Sequence, residues 1–237
     1  MTPEVRALHP INADSPQECT EITGHIFRSM RFDTTHHVPM YRDWLHAQEQ
    51  IAPYRFHKRF LQHLQHHRPR KRWILKCPDH VFALDSLRLV YPDACLIFLH
   101  RDPTIVLASL ARLTEMLRRP FTRTLDRRQI GAELSKRWIQ GAAILVDGGI
   151  SCAGMSGSTL HLRFEDFTRD PAAAVAVVYQ QFGLDLEPGV LAQIRALVAQ
   201  KPRGGYGLNA GRLEEYGLDT RELRHQFAGY IQSFLRE

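Results

Sequence analysis

LIFLHRDPTIVLAS, residues 96–109, decides how the chain is read. A short apolar run ends abruptly in His100-Arg101-Asp102-Pro103. A stretch with helical spacing follows, and it carries Ser109. Apolar runs of four to eight residues bounded by turn residues suit a buried strand, and proline suits the first turn of a helix. The spacing therefore predicts a strand over 94–100, a turn that presents Arg101, and a helix over 103–118.

Working outward, RWILK (72–76) reads as a second short strand ended by Pro78, and STLHLRF (158–164) as a third. Helices are expected over 15–30, over 38–67 with a break at Pro53, and over 80–91, 126–149, 170–184, 187–200 and 220–237. Asp170 is the expected cap of the 170–184 helix, and Gly183 lies near its end. Short apolar strands alternating with helices argue for an α/β fold with a parallel sheet covered on both faces. No internal repeat or low-complexity linker divides the 237 residues, so one domain over 1–237 is expected.

Composition narrows the function classes. Apolar residues make up 44% and charged residues 24%, as in soluble globular proteins. No stretch of 18 or more apolar residues occurs, and the first ten residues have no signal core. Cys19, Cys77, Cys95 and Cys152 form no CxxC pair and read as free thiols in a reducing cytoplasm. The net charge of +6 suits an anionic ligand such as a nucleotide. It would also suit nucleic acid, but no stacking-aromatic motif supports that, so no nucleic-acid partner is expected. The densest basic run, HHRPRKRW (66–73), reads as a solvated loop. Eight of the 13 histidines lie between His25 and His67, without carboxylate or cysteine at ligand spacing, so no metal is expected.

In open α/β sheets, ligands sit beyond the carboxyl ends of the strands. Three such ends are Lys76-Cys77-Pro78, His100-Arg101-Asp102-Pro103 and Arg163-Phe164-Glu165-Asp166. Arg101 and the hydroxyl of Ser109, about two helical turns on, are placed to embrace a phosphate, helped by free backbone N–H groups of the helix after Pro103. The alternative is an ion pair of Arg101 with Asp102, Glu165 or Asp166, and spacing leaves both open.

The block RWILKCPDHVFALDSLRLVYPDACLIFLHRDPTIVLASLARL resembles the central segment of bacterial sulfotransferases that use 3′-phosphoadenosine 5′-phosphosulfate. In them a W-x-L-K-x-P-x-H stretch precedes a helix, Y-P-D-A, a strand, H-R-D-P and a serine. HPINADSPQECTEI, VPMYRDWL, LHLRFEDFTRDPAAAV and LEEYGLD extend the likeness over nearly the whole chain. The resemblance implies the P-loop-like three-layer fold and sulfuryl transfer to a hydroxyl or amine of a small-molecule acceptor. It implies that Arg101 and Ser109 hold the nucleotide 3′-phosphate, with Lys201 and Arg203 of KPRGGYG (201–207) nearby. Lys76 matches the lysine that approaches the transferring group. A carboxylate or histidine must deprotonate the acceptor. Glu18 is the first candidate and His80 the second, although Glu18 also suits a capping box. The acceptor would meet segments such as 31–42 and 117–128.

Two departures accompany the resemblance. The family's P-R-S/T-G-T-T loop, whose backbone cradles the 5′-phosphosulfate, needs glycine for close approach. Gly24 is the one glycine in the first 130 residues, and it lies within EITGHIF. By resemblance the chain begins roughly a hundred residues late. That would leave a sheet edge exposed, to be covered by a second copy or a protein partner. Asn209-Ala210-Gly211 also stands where the family often has His-x-Tyr. A truncated enzyme, a non-catalytic binding or assembly protein, and a chain turned to another ligand remain open.

Overall fold

The computed structural model describes residues 15–69, 71–151, 158–200 and 211–236. In chain order these form α1 (Cys19–Gly24), α2 (Arg31–His36), α3 (Pro39–His46), α4 (Ile51–Leu64), a 3₁₀ turn (Pro78–Ala83), α5 (Leu84–Val90) and β1 (Leu96–His100). Then come α6 (Pro103–Arg118), a 3₁₀ turn (Arg119–Phe121), α7 (Arg127–Ser151), β2 (Thr159–Arg163), α8 (Phe164–Arg169), α9 (Pro171–Gln181) and α10 (Val190–Gln200). A last 3₁₀ turn (Leu213–Tyr216), α11 (Thr220–Gln226) and α12 (Ala228–Phe234) complete the order. The result is helix-rich α/β with a small parallel sheet, which agrees with the expected class.

The described residues fall into two compact units. One holds 15–93 and 114–125; the other holds 94–113 and the residues from 126 on. In the first, α4 packs on α1 and α5. Leu45, Tyr54, Leu61, Val81, Leu87 and Met116 are among its buried side chains. The buried Asp33 fixes α2 here. It accepts from the N–H of Val38 at 2.9 Å, and its carbonyl accepts from Arg118 Nη2 at 2.9 Å. In the second unit, β1 pairs in parallel with β2, Leu96 opposite Thr159 through His100 opposite Arg163. A two-stranded sheet is marginal alone, so helices must stabilise it. Leu107, Ala142, Leu213, Leu223 and Phe227 form the core beside it, with Trp138 and Ile139 of α7 and Ile231 of α12 packed on.

Several expectations are corrected. The strand read over 72–76 does not form: the segment has no regular secondary structure and every residue in it is exposed. A strand needs a neighbour to accept its backbone bonds, and among the described residues β1 pairs only with β2. The helix expected over 15–30 is the short α1, and α2 was not foreseen. The break expected at Pro53 falls at 47–50 instead. Pro53 sits in the first turn of α4, where its missing N–H costs nothing. The 220–237 helix is split into α11 and α12. Asp170 does cap α9, accepting from the N–H of Ala173 at 3.0 Å, and Gly183 adopts φ 59°.

Candidate functional site

The first unit brings Glu18 and Lys76 together although 58 positions separate them. The N–H of Cys19 donates to the carbonyl of Lys76 at 3.2 Å, which ties the start of α1 to residue 76. Glu18 occupies the N-cap position of α1 with an extended backbone, φ −79° and ψ 158°, but its carboxylate makes no cap bond. It pairs with the Lys76 ammonium instead. Both side chains are substantially exposed, so the pair adds at most about 1 kcal/mol to stability. Its consequence is placement: a solvent-facing carboxylate is held against a cation.

The thiols beside this pair are inert. Burial pushes the Cys19 thiol up to about 11 and the Cys77 thiol well above its ordinary value, so neither offers a thiolate at neutral pH. His80 lies three residues after Cys77. Burial, with His57 adding to it, lowers its pKa to about 4. Burial raises the Tyr54 phenol far above its ordinary value, so its hydroxyl remains a donor. That hydroxyl stands 2.8 Å from His80 Nδ1. The His80 ring is therefore neutral, and its Nδ1 is engaged with the Tyr54 hydroxyl.

The segments expected at the acceptor also meet in this unit. His36 packs on Phe121 with ring centroids 4.4 Å apart. Phe27 and Phe32 stack, Phe32 meets Tyr41 edge-on, and Tyr41 packs on Trp44. Phe27 and Phe121 are exposed. The rings form two partly exposed aromatic clusters, Phe27–Phe32–Tyr41–Trp44 and His36–Phe121.

In the second unit, β1 delivers Arg101 to its tip. The guanidinium lies 4.4 Å above the ring of Phe164 at the start of α8. The carboxylates named as its alternative partners are otherwise engaged or unpaired with it. Asp102 Oδ2 takes Arg224 at 2.6 Å, Asp166 takes Arg169 at 3.0 Å, and the Oε2 of Glu165 is buried without a hydrogen-bond partner among the described residues. Arg101 is thus half-buried against an aromatic face.

The helix after Pro103 differs from expectation. Its first N–H groups are not free: Asp102 Oδ1 accepts from Thr104 N at 2.8 Å and Thr104 Oγ1 at 2.6 Å. Burial raises the Asp102 pKa, but these bonds and the Arg224 charge outweigh it and hold the carboxyl below its ordinary value. An anion arriving here meets side chains rather than a bare helix N-terminus. Asp before Pro at a helix start was the signal for this cap, and it was read only for its proline.

Ser109 sits on α6 beside Ala108, and Gly211 packs there. A Cβ at position 211 would lie 2.4 Å from the Ala108 carbonyl oxygen, so the chain passes as closely as it does only because residue 211 is glycine. Lys201 and Arg203 lie outside the described residues. Behind Arg101, His100 is 2% exposed. Its Nδ1 is 3.0 Å from the Tyr230 hydroxyl and its Nε2 is 2.8 Å from His161 Nδ1. Phe234 stacks on it at 4.1 Å and 3°. Burial lowers the His100 pKa to about 4 and raises that of Tyr230 to about 12. With these groups neutral, Tyr230, His100 and His161 form one hydrogen-bonded chain whose direction follows the His100 tautomer. This relay fixes the residue that precedes Arg101.

Among the described residues no group of His, Cys, Asp and Glu could hold a metal ion, and no helix is long and apolar enough to cross a membrane.

Comparison with known proteins agrees with the sequence resemblance. The omega-hydroxy-beta-dihydromenaquinone-9 sulfotransferase Stf3 of Mycobacterium bovis is 31% identical over 160 residues, 62% of this chain and 38% of that protein. The Mycobacterium tuberculosis protein of the same name matches equally. The chain thus spans well under half the length of these curated relatives. Sulfotransferase STF9 of Mycobacterium avium superposes with a TM-score of 0.86 at 29% identity, over 95% of this chain and 58% of that one. Sulfotransferase STF1 of Mycobacterium tuberculosis H37Rv gives 0.79 at 29%, over 93% and 57%. The model of the sulfotransferase family matches residues 1–188, and the chain belongs to that family.

Proposed function

We propose that this protein transfers a sulfuryl group from 3′-phosphoadenosine 5′-phosphosulfate to a hydroxyl or amine of a small-molecule acceptor, as one domain of the three-layer P-loop-like kind in the cytoplasm. The observation that carries this reading is the Glu18–Lys76 pair, a base and a cation held together in solvent reach. Glu18 takes the acceptor proton as the acceptor oxygen or nitrogen forms its bond to sulfur. The bond from sulfur to the 5′-phosphate oxygen breaks, and adenosine 3′,5′-bisphosphate leaves. Lys76 stabilises the charge that develops on the transferring group, the kind of electrostatic assistance such reactions depend on. His80 is the second candidate base, but its Nδ1 faces the Tyr54 hydroxyl, which favours Glu18.

Arg101 and Ser109 take the 3′-phosphate in this reading, with Lys201 and Arg203 beside them. Arg101 fits the role because no described carboxylate pairs with it. Gly211, the residue that follows the 201–210 segment in sequence, passes tightly against Ala108, the neighbour of Ser109 on α6. The aromatic cluster from Phe27 to Trp44 suits an acceptor with an apolar body.

A second reading has its own support. No glycine-rich loop for the 5′-phosphosulfate occurs in the first 130 residues. Ile97 and Leu99 of β1 are exposed, as for a face that another copy or a protein covers. A binding protein that catalyses nothing accounts for both. Calorimetric titration of the chain with adenosine 3′,5′-bisphosphate separates the readings. Micromolar binding supports the transferase. Absence of binding by folded protein rejects it in favour of the second reading.

A further inference from the structure

Two helices late in the chain reach back to the exit of β1. Arg224 of α11 holds Asp102 at 2.6 Å. Tyr230 of α12 meets the two residues before it. Its hydroxyl stands 3.0 Å from His100 Nδ1, and its oxygen also accepts from the N–H of Arg101. A phenol has one donor and two acceptor positions, so one hydroxyl serves both groups. The ring itself is well anchored. With Ile231 it packs against the core of Leu107, Ala142, Leu213, Leu223 and Phe227. Phe234, on the next turn, lies 5.3 Å from it and stacks on His100. The Arg101 guanidinium is held differently, 4.4 Å above the Phe164 ring. A ring face fixes a guanidinium less sharply than a carboxylate fork does, which leaves the main chain to set where the cation points.

We propose that Tyr230 is a positioning residue for the nucleotide site: it fixes the Arg101 main chain so that the guanidinium, lying against Phe164, meets the 3′-phosphate. Tyr230 touches no substrate in this role and acts through Arg101. The role rests on the reading of Arg101 as a phosphate ligand. The other contacts at this turn do less for residue 101. The ladder with β2 ends at the His100–Arg163 pair, so the sheet sets His100 and stops short of Arg101. Asp102 is held by Thr104 and by Arg224, whose side chain is half exposed, and an exposed ion pair fixes little. The Tyr230 hydroxyl bridges the last paired residue and the cation beyond it.

The test is a double-mutant cycle on calorimetric affinity for adenosine 3′,5′-bisphosphate, with the whole chain, Tyr230→Phe, Arg101→Ala and the two combined. Phenylalanine keeps the ring contacts and removes the hydroxyl. Tyr230→Phe should weaken binding about fivefold, the worth of one hydrogen bond. Added to Arg101→Ala it should change nothing further, because a residue that acts through Arg101 then has nothing left to position. Losses that multiply would make Tyr230 a general support of the fold, and that result overturns the proposal. Full affinity in Tyr230→Phe beside a weakened Arg101→Ala overturns it while leaving the phosphate reading intact. An unchanged affinity in Arg101→Ala rejects the phosphate reading itself and takes this role with it. Amide hydrogen exchange supplies a second reading that needs no nucleotide. The Arg101 amide should be protected in the native chain and exchange about fivefold faster in Tyr230→Phe, with the amides of α7 unchanged. An Arg101 amide that exchanges freely in the native chain, or at one rate in both chains, overturns the proposal.

Discussion

RWILK (72–76) and LIFLH (96–100) are nearly alike as sequences, both short, apolar and followed by residues that end a strand. Their fates are opposite. The second pairs residue for residue with Thr159–Arg163 and ends in a histidine 2% exposed. The first joins no sheet among the described residues and leaves Ile74 95% exposed. The difference is the partner, because strandness belongs to a pair and not to a composition. It also changes how each delivers its cation. Arg101 is aimed by the sheet, by the histidine behind it and by a capped helix after it. Lys76 is aimed by one backbone bond from Cys19 and by the Glu18 carboxylate.

The sharpest test of this contrast is Glu18→Gln, which keeps the shape of the side chain and removes its basicity. Loss of a general base should cost about 10²–10⁴ in kcat for sulfuryl transfer. Affinity for adenosine 3′,5′-bisphosphate should stay unchanged, because Glu18 has no part in the phosphate site. A parallel fall in both quantities would make the pair a structural tie.

The next effect concerns two buried histidines, of which His100 is the support behind Arg101. His57 and His100 are 1% and 2% exposed, and burial brings each pKa to about 4. In the unfolded chain each titrates near 6.5. The folded values are depressed, so the unfolded state binds the extra proton first. Stability is complete above about pH 6.5 and falls as the pH drops toward 4, by up to about 3 kcal/mol for each group. Urea melts across this range check the slope. A His100→Gln variant should flatten its share, and a slope unchanged by that variant would remove the histidine relay from the account.

Smaller again is Arg101→Ala. It should weaken adenosine 3′,5′-bisphosphate binding by about 1.5–3 kcal/mol, the worth of a hydrogen bond to a charged group. Lys76→Ala should leave this affinity much less affected. Equal losses from the two variants would erase the division between the cations, and an unchanged affinity in Arg101→Ala would reject the phosphate assignment.

What was legible in the sequence follows local physics. The turn at 100–103, the helix 103–118 and the Asp170 cap depend on neighbouring residues, and all are found as read. The exit from β1 was half legible. Proline at 103 was read, but the Asp102 carboxylate that fills the helix N-terminus was not. Glu18 against Lys76 was not legible as a contact, since it depends on a backbone bond across 57 positions. Gly211 was read as a departure from the family pattern, whereas the approach to Ala108 gives it a steric reason.

The smallest predicted effect bears most directly on the comparison. Ile74→Ala removes a large apolar side chain that touches little in this structure, so it should change the unfolding free energy by less than about 0.5 kcal/mol. Phe98→Ala on β1 should cost more, because that ring stacks on His161 at 5.0 Å within the paired sheet. If Ile74→Ala instead costs as much as Phe98→Ala, then 72–76 is covered in solution. The contrast between the two stretches would then belong to the isolated chain and not to the protein at work. Lys76 would be aimed by a sheet after all, and the Glu18–Lys76 pair would rest on a rigid edge as Arg101 does.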